Sequence, residues 1–394
     1  MENLSPLPLA SATWDEKELD AIKNVIDSGM YTMGSQVSEF EKIFANYHNS
    51  KYCVMVNSGT SANFLMTAAL FFTKQSQNLE RGDEVIVPAV SWSTTYSPLY
   101  YHGLKVRFVD IDLDSLNIDV EIIESAITKK TKAIFAVNLL GNSADYKKLK
   151  EICDKHSLIL LEDNCESLGA EYIGKKTGSF GVVSSCSGFF SHHISTMEGG
   201  MILTDDEEIY HILLSIRAHG WTRNLPEENL ICEKSNDPFF ESFRFVLPGY
   251  NVRPLEMSGA IGINQMEKLD NLIEKRRTNY DQFYKKIKKY DFIKTQSELG
   301  NSSWFGFSII LKKNASFSRN EMVNLFSTRN IETRPIVCGN ITKNEMLDYY
   351  DYSVFGDLTA SDRVHNDGLF IGNHHIDIKD GLDNLVESIE ILSK

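Results

Sequence analysis

The chain has 394 residues, of which 42% are hydrophobic and 24% charged, as in an ordinary folded protein without long disordered or collagen-like tracts. Its length exceeds what one hydrophobic core usually supports, so we expect a large domain and a smaller one. The 40 basic and 54 acidic residues give a net charge of −14, which argues against general attraction to nucleic acid or to anionic membranes.

The N-terminal sequence has no basic stretch followed by an apolar one, as an export signal would have. The longest apolar run, around residues 62–72, is too short to cross a bilayer. We therefore expect a cytoplasmic protein. The six cysteines lie in separate segments without a C-x-x-C pair, which predicts reduced, mostly buried thiols and neither a zinc site nor an iron–sulfur cluster.

Two helices are predicted before the first strand. Leu19, Ile22 and Ile26 recur at helical spacing, and the segment 38–41 (Ser-Glu-Phe-Glu) has the pattern of a capping box that begins the second helix. Short apolar runs follow, mostly separated by helical stretches: residues 53–56, 84–87, 133–137, 158–161 and 201–203. This order predicts an α/β fold with a buried, mostly parallel sheet flanked by helices.

From about residue 266 the pattern changes to a basic helical stretch (267–287), strand candidates such as 304–311 and a helix near 319–329. We expect residues 1–265 to form a large cofactor-binding domain and residues 266–394 to form a smaller C-terminal α+β domain. Ligands of parallel sheets bind beyond the carboxyl ends of the strands. The active site is therefore expected where the polar clusters follow the strands.

Three of these strand ends carry candidate binding groups. Residues 57–63 follow a strand and open a helix whose amides could hold a phosphate, unless Thr60 or Ser61 simply caps a strand-to-helix turn. Asp163 lies at the mouth of the sheet, where a carboxylate needs a partner such as a protonated pyridine nitrogen, although it could equally cap a helix. Trp92 either stacks on a flat ring or belongs to the core.

The stretch 187–200 (Ser-Gly-Phe-Phe-Ser-His-His-Ile-Ser-Thr-Met-Glu-Gly-Gly) resembles the active-site signature of the DegT/DnrJ/EryC/StrS sugar aminotransferases, in which a lysine lies six positions before an acid-Gly-Gly. In this chain that position is His192. Other matches occur in the family's order: Gly29 and Gly34 with Phe40-Glu41, Ser58-Gly59-Thr60, Pro88 with Trp92, Glu162-Asp163, and Gly249-Tyr250-Asn251-Val252-Arg253. The resemblance covers nearly the whole chain and implies the fold-type I fold of pyridoxal phosphate-dependent aminotransferases.

The resemblance implies that the chain binds pyridoxal 5'-phosphate and its amino form, pyridoxamine 5'-phosphate. It assigns the cofactor to Gly59, Thr60, Trp92, Asp163, Glu166, Ser187 and Asn251. Glu166 departs from the family, which usually has glutamine near the ring hydroxyl, and a protonated Glu166 would act similarly. The family's asparagine at the position of Asn251 reaches a phosphate across a subunit interface, so we expect a homodimer with shared active sites.

Histidine in place of lysine is a feature that this chain shares with the family's 3-dehydratases. Lysine forms a Schiff base with the cofactor and also moves protons, whereas imidazole does only the second. We expect His192 to remove a proton from the cofactor's methylene carbon and then to protonate the leaving C3 hydroxyl of the sugar. His193 competes for this role and differs from His192 only in register. A related dehydratase uses an iron–sulfur cluster, but the cysteine spacing here does not fit its pattern.

The resemblance implies GDP-4-keto-6-deoxymannose as the substrate and L-glutamate as the donor that regenerates pyridoxamine phosphate. The GDP group rests on overall similarity, since no readable motif defines the base. Arginine can bind diphosphate oxygens with two hydrogen bonds. The residues expected to bind the nucleotide sugar are His219, Arg223, Arg253, Glu332 and Arg334, each of which could instead be a surface charge.

Two other functions are compatible with the sequence. The chain could be an aminotransferase whose reactive lysine lies elsewhere, for example at Lys175-Lys176, or a catalytically silent cofactor-binding protein, for which no DNA-binding element or basic arm gives support. The pair His374-His375 has no matched ligands nearby, and we expect a structural role for it.

Overall fold

The computed structural model describes residues 4–74 and 77–394. The helices are α1 (Glu16–Ser28), α2 (Ser35–His48), α3 (Gly59–Ala69), α4 (Ser93–Tyr101), α5 (Val120–Ala126), α6 (Tyr146–His156), α7 (Glu207–Ile216), α8 (Pro238–Glu241), α9 (Glu256–Ile287), α10 (Arg319–Thr328), α11 (Thr359–Asp367) and α12 (Lys379–Leu392). The strands are β1 (Tyr52–Val56), β2 (Glu84–Pro88), β3 (Lys105–Val109), β4 (Thr131–Val137), β5 (Ile159–Asp163), β6 (Glu171–Tyr172), β7 (Lys175–Lys176), β8 (Val183–Ser187), β9 (Gly200–Thr204), β10 (Ile293–Lys294), β11 (Gly306–Leu311), β12 (Thr333–Arg334), β13 (Tyr352–Val354) and β14 (Gly368–Gly372).

An eight-stranded sheet of order β1-β9-β8-β5-β4-β2-β3-β13 forms the centre of the larger part. Its strands pair in parallel from β8 to β13, and β9 is antiparallel to both of its neighbours. Both faces are covered. In β2, Val85 and Val87 pack into the core on one face and Ile86 into the core on the other, which explains the continuous apolar runs. The predicted α/β class with a mostly parallel sheet is confirmed.

The carboxyl ends of β1, β2, β5 and β8 meet at one edge of this sheet. β5 and β8 are parallel, and β1 has the same direction because β9 is antiparallel to both β1 and β8. The chain leaves these strands toward Ser58, Trp92, Cys165 and Gly188. The fold therefore brings four separate polar segments of the sequence to one place.

A four-stranded sheet of order β10-β11-β14-β12 forms the second core together with α10 and α12. Leu7, from the N-terminal segment, is fully buried in this core and pairs with Ile331. Conversely, β13 leaves the C-terminal half and joins the large sheet beside β3. The predicted domain boundary at residues 265/266 falls inside α9, a helix of 32 residues. Leu269 of this helix packs with residues of the large sheet, and Phe283 packs in the second core.

The predicted start of α2 at the capping box 38–41 is wrong, because the helix begins at Ser35. Its N-terminal amides are bound by the buried carboxylate of Glu256, at 2.6 Å from the amide of Gly34 and 2.7 Å from that of Gln36. A residue more than two hundred positions away therefore supplies the cap. Local sequence cannot reveal such a tertiary cap.

Helix α1 lies where it was predicted, but its apolar stripe is largely exposed. Leu19 and Ile26 are 50% and 51% exposed, whereas Val25 and Glu18 are buried. Glu18 tolerates burial because it forms an ion pair with Lys268 at 2.8 Å and accepts hydrogen bonds from the amide of Asp15 at 2.8 Å and from Gln265 at 2.7 Å.

Among the described residues, no helix combines the length and apolar character needed to cross a membrane.

Residues 4–74 and 77–394 contain no group of three or more histidine, cysteine, aspartate or glutamate side chains that could hold a metal ion. All six cysteines are free thiols. His374 lies against the N-terminal segment, with Nε2 2.6 Å from the carbonyl of Pro8 and Nδ1 3.0 Å from Ser11 Oγ.

Candidate active site

A cavity of about 300 Å³ opens at the carboxyl-end edge of the large sheet and is closed on one side by residues of the small sheet. Eight predicted site residues line it: Gly59, Thr60, Trp92, Asp163, Glu166, Ser187, His192 and Arg334. Five further lining residues lie in the predicted segments 57–63 and 187–200 but were not singled out: Ser58, Asn63, Phe189, Ser191 and Glu198. The others were not predicted: Ser91, Thr94, Val137, Leu139, Cys165, Phe305 and Val337. The cavity thus joins strand ends that are far apart in sequence.

The N-terminus of α3 forms one wall of the cavity. Ser58 caps the helix, since its Oγ accepts the amide of Ser61 at 3.1 Å, which corrects the suggestion that Thr60 or Ser61 does so. The first amides of a helix have no partner within it and carry its positive dipole end. Gly59 is required here by close approach, because a Cβ would lie 2.8 Å from the Cβ of Ser187. This wall suits a phosphate.

Asp163 lies at the end of β5 and is only 5% exposed. Its Oδ2 accepts hydrogen bonds from Asn63 Nδ2 at 2.9 Å and from Thr95 Oγ1 at 2.8 Å, and its Oδ1 accepts the amide of Cys165 at 3.1 Å. These donors are neutral, and the described residues give this carboxylate no salt bridge. No helix begins at Asp163, so the alternative role as a helix cap is wrong. A buried carboxylate held in this way suits a cationic group in the cavity.

Trp92 precedes α4 and lines the cavity with 55% of its surface exposed. The alternative assignment to the hydrophobic core is therefore wrong. A tryptophan exposed beside a cavity offers a flat face on which an aromatic ring can stack.

The structure separates the two adjacent histidines. His192 lines the cavity, with its ring centroid 5.2 Å from that of Phe305 and 6.0 Å from that of Phe189. Its buried Nδ1 has no hydrogen-bond partner among the residues that the structure describes. Burial, and secondly the charge of Arg334, lower the pKa of His192 from 6.5 to about 4. His193 is fully buried outside the cavity lining, with Nε2 3.1 Å from the carbonyl of Ser303. Only His192 is placed to meet a ligand.

Glu166, which follows β5 of the large sheet, and Arg334, in β12 of the small sheet, both line the cavity. Burial raises the pKa of Glu166, and the nearby Arg334 charge opposes this effect. Glu166 Oε2 accepts the amide of Leu140 at 3.1 Å. The guanidinium of Arg334 lies 4.4 Å from the ring centroid of Phe370, and within residues 4–74 and 77–394 its buried Nε finds no hydrogen-bond partner. Such a group favours an anionic ligand.

Other predicted binding residues do not line this cavity in the single chain: His219, Arg223, Asn251, Arg253 and Glu332. Arg253 Nε donates to Asn251 Oδ1 at 3.0 Å, and Arg223 lies 5.4 Å from the ring of Trp221. Glu332, just before β12, instead accepts the amide of Leu9 with its Oε2 at 2.8 Å. The assigned ligand roles of these residues remain predictions.

The alternative lysine pair is remote from the cavity. Lys176 lies 4.2 Å from the ring centroid of Tyr47 and 3.3 Å from a carboxylate oxygen of Glu171. No lysine lines the cavity within the described part of the chain. The geometry thus offers no amine at the place where the family's lysine is expected.

The architecture of the sheet and the position of the cavity are those of the pyridoxal phosphate-dependent aminotransferase fold. The chain belongs to the DegT/DnrJ/EryC1/StrS aminotransferase family, which matches residues 12–390. It is 58% identical over 380 residues, 96% of each chain, to GDP-4-keto-6-deoxy-D-mannose 3-dehydratase of Yersinia pseudotuberculosis.

Two solved structures are closely similar to this chain. The Escherichia coli GDP-4-keto-6-deoxy-D-mannose-3-dehydratase with bound hydrated PLP has a TM-score of 0.96 and 54% identity, with coverage of 98% of this chain and 100% of that one. GDP-4-keto-6-deoxymannose-3-dehydratase with a trapped PLP-glutamate geminal diamine has a TM-score of 0.95 and 54% identity, with coverage of 97% and 100%.

Proposed function

We propose that the chain is a pyridoxal/pyridoxamine phosphate-dependent lyase that removes the C3 hydroxyl of GDP-4-keto-6-deoxymannose, with L-glutamate as amino donor. The observation that carries the proposal is His192, a neutral imidazole, where the family's aminotransferases have a lysine, at a cavity lined by no lysine of the described residues. The similarity to 3-dehydratases over almost the whole chain supports the same reaction.

The cavity residues fit this cofactor. The N-terminus of α3 at Gly59 and Thr60, with Ser187 beside it, would hold the phosphate. Asp163 would pair with the protonated ring nitrogen, and Trp92 would stack on the ring. When bound, the amino form of the cofactor supplies an amine for the sugar's keto group and a ring that accepts electrons.

His192 performs the proton transfers in this proposal. At neutral pH its imidazole is the free base, because burial and the Arg334 charge hold its pKa at about 4. It accepts a proton from the cofactor's methylene carbon. The resulting imidazolium, a strong acid in this setting, donates that proton to the C3 oxygen of the sugar as the oxygen leaves as water. An imidazole forms no Schiff base with the cofactor, so His192 keeps only the proton-transfer role of the two roles that lysine has in the family's aminotransferases.

Glu166 and Arg334 line the same cavity as His192. Burial raises the pKa of Glu166, which favours the protonated carboxyl, and in that form it would hydrogen-bond the cofactor's ring hydroxyl as a glutamine would. Arg334 lines the cavity, and its Nε has no partner in the described part of the chain, so its guanidinium can bind an anionic part of the sugar nucleotide.

We further propose a homodimer in which each subunit completes the other's site. Asn251, His219 and Arg223 are exposed on the single chain, so a partner subunit can receive them. Leu19 and Ile26 of α1 add exposed apolar surface. A cytoplasmic location is in keeping with six free thiols.

Product analysis tests the reaction. The protein is incubated with pyridoxal phosphate, glutamate and GDP-4-keto-6-deoxymannose, and the sugar nucleotide is followed by mass spectrometry. We expect a product lighter by one oxygen atom, with release of ammonia and of the keto acid derived from glutamate. A product that keeps its C3 oxygen and gains an amino group would establish the aminotransferase alternative and refute the proposal.

A further inference from the structure

Three consecutive backbone carbonyls beside the cavity each accept a hydrogen bond from a buried side chain. The carbonyls belong to residues 303–305, which we call the strap. Their donors, the clamp residues, are His193 Nε2 to Ser303 at 3.1 Å, Asn373 Nδ2 to Trp304 at 2.8 Å and an Arg276 guanidinium nitrogen to Phe305 at 3.0 Å. The clamp residues are between 0% and 4% exposed. Buried polar groups at such consecutive positions fix the path of a backbone.

The strap is bonded to the large sheet's side of the cavity through its amides. Ser303 donates to the carbonyl of Gly141 at 2.9 Å, and Phe305 donates to that of Leu140 at 3.0 Å. A Cβ on Gly141 would lie 2.4 Å from the amide nitrogen of Trp304. Trp304 and Leu140 adopt φ of 45° and 55°, in the left-handed region that bulky side chains avoid. Strained backbone of this kind persists only where its surroundings hold it in place.

Both ends of this arrangement reach groups of the candidate active site. The Phe305 ring lines the cavity 5.2 Å from the His192 ring. On the other side, the amide of Leu140 donates to Glu166 Oε2 at 3.1 Å. A shift of the strap would therefore move the wall against which His192 packs and would disturb the hydrogen bond at Glu166.

We propose that His193 is a positioning residue for His192, acting through the Ser303 carbonyl and the strap. This inference rests on the proposed function. His193 is fully buried and lies outside the cavity lining, so it does not touch the reacting atoms. A carbonyl oxygen only accepts, so Nε2 of His193 carries the proton and donates it. The two adjacent histidines thus have different roles. His192 transfers protons, and His193 fixes the strap, whose Phe305 packs against the His192 ring.

Matched variants at His193 test the inference. His193→Gln retains an N–H donor at similar reach, whereas His193→Met fills similar space without a donor. We expect His193→Met to lower kcat for C3 oxygen loss by about ten- to a hundredfold, the scale of small misplacements of catalytic groups, with KM for the sugar nucleotide within about twofold. His193→Gln should recover most of the rate. Cofactor binding, followed by absorbance, should be the same in all three proteins.

A second pair, Arg276→Lys and Arg276→Met, applies the same test at the Phe305 carbonyl and serves if His193→Met does not fold. If the wild-type protein removes the C3 oxygen and the donor-free variants are as fast as it, the inference is wrong while the proposed function stands. The inference also fails if His193→Gln is as slow as His193→Met. Absence of oxygen loss in the wild-type protein overturns the proposed function, and the inference with it.

Discussion

The proton transfers proposed here depend on the pKa of His192. Burial lowers it from 6.5 to about 4, with a smaller contribution from the charge of Arg334. The difference, 6.5 − 4, is about 2.5 pH units and corresponds to about 3 kcal/mol in favour of the neutral ring. At pH 7 only about one imidazole in a thousand is then protonated. The residue is almost entirely in the form that accepts a proton.

Substitution of Arg334 separates the contribution of its charge from that of burial. Arg334→Met removes the charge while keeping an apolar chain of similar length, and Arg334→Lys keeps the charge. We expect the pKa of His192 to rise in Arg334→Met but to stay below 6.5, because burial, the larger cause, remains. In Arg334→Lys it should stay close to the wild-type value.

Carbon-13 NMR of protein labelled at histidine Cε1 measures this pKa directly, without cofactor or substrate. The resonance of His192 is the one that disappears in His192→Asn. A wild-type pKa at or above 6.5 would contradict the account of the site's electrostatics, and so would a pKa that is the same with methionine at position 334.

Three other predictions concern the cofactor site and the scaffold. His192→Lys should form a Schiff base with the cofactor, which borohydride reduces to a stable lysine adduct that peptide mass spectrometry detects. Its dehydration should be about 10²–10⁴-fold slower than that of the wild-type protein. Dehydration at the wild-type rate would show that His192 is not needed in the mechanism. Asn63→Leu removes a hydrogen-bond donor to buried Asp163. It should lower the free energy of unfolding by about 1–3 kcal/mol, measured by denaturation, and weaken pyridoxal phosphate binding, measured by absorbance titration. Unchanged values in both measurements would show that Asn63 does not support Asp163. Glu256→Ala removes the cap of α2 and should lower the free energy of unfolding by about 1–2 kcal/mol, measured with denaturant. Cofactor affinity should be unchanged, because Glu256 lies outside the cavity lining. A loss of cofactor affinity at wild-type stability would contradict the capping role of Glu256.

The central strands could be predicted from the sequence because strands buried on both faces read as unbroken apolar runs. β2 and β5 are of this kind. β13 could not be found in this way, because its residues are partly exposed and it reaches its partner β3 from the other end of the chain. Pairing between distant segments leaves little trace in local pattern.

The same difference separates the site residues that were predicted from those that were missed. Strand ends carry their polar residues at recognisable places, which gave Asp163 and Ser187. Asn63 was missed as a site residue although it lies four positions after Gly59 on the same helix, a spacing that puts both on one face and could have indicated it. Phe305 and the clamp residues come from elements whose approach to the cavity only the fold defines.

Register alone could not decide between His192 and His193. The structure separates them by environment, since one ring lines the cavity and the other bonds to the Ser303 carbonyl. For α1, in contrast, the sequence predicts the element but not its surroundings. Periodicity locates the helix correctly, but it does not tell which surface of the chain or of a partner covers Leu19 and Ile26.

The fate of the C3 oxygen tests the central claim most directly. GDP-4-keto-6-deoxymannose labelled with oxygen-18 at C3 is incubated with glutamate and either the wild-type protein or His192→Asn, and the label is followed in the sugar and in water. The account predicts that the wild-type protein releases the label to water and that His192→Asn does so about 10²–10⁴-fold more slowly. Retention of the label in an aminated wild-type product, or equal rates of release from the two proteins, would contradict it.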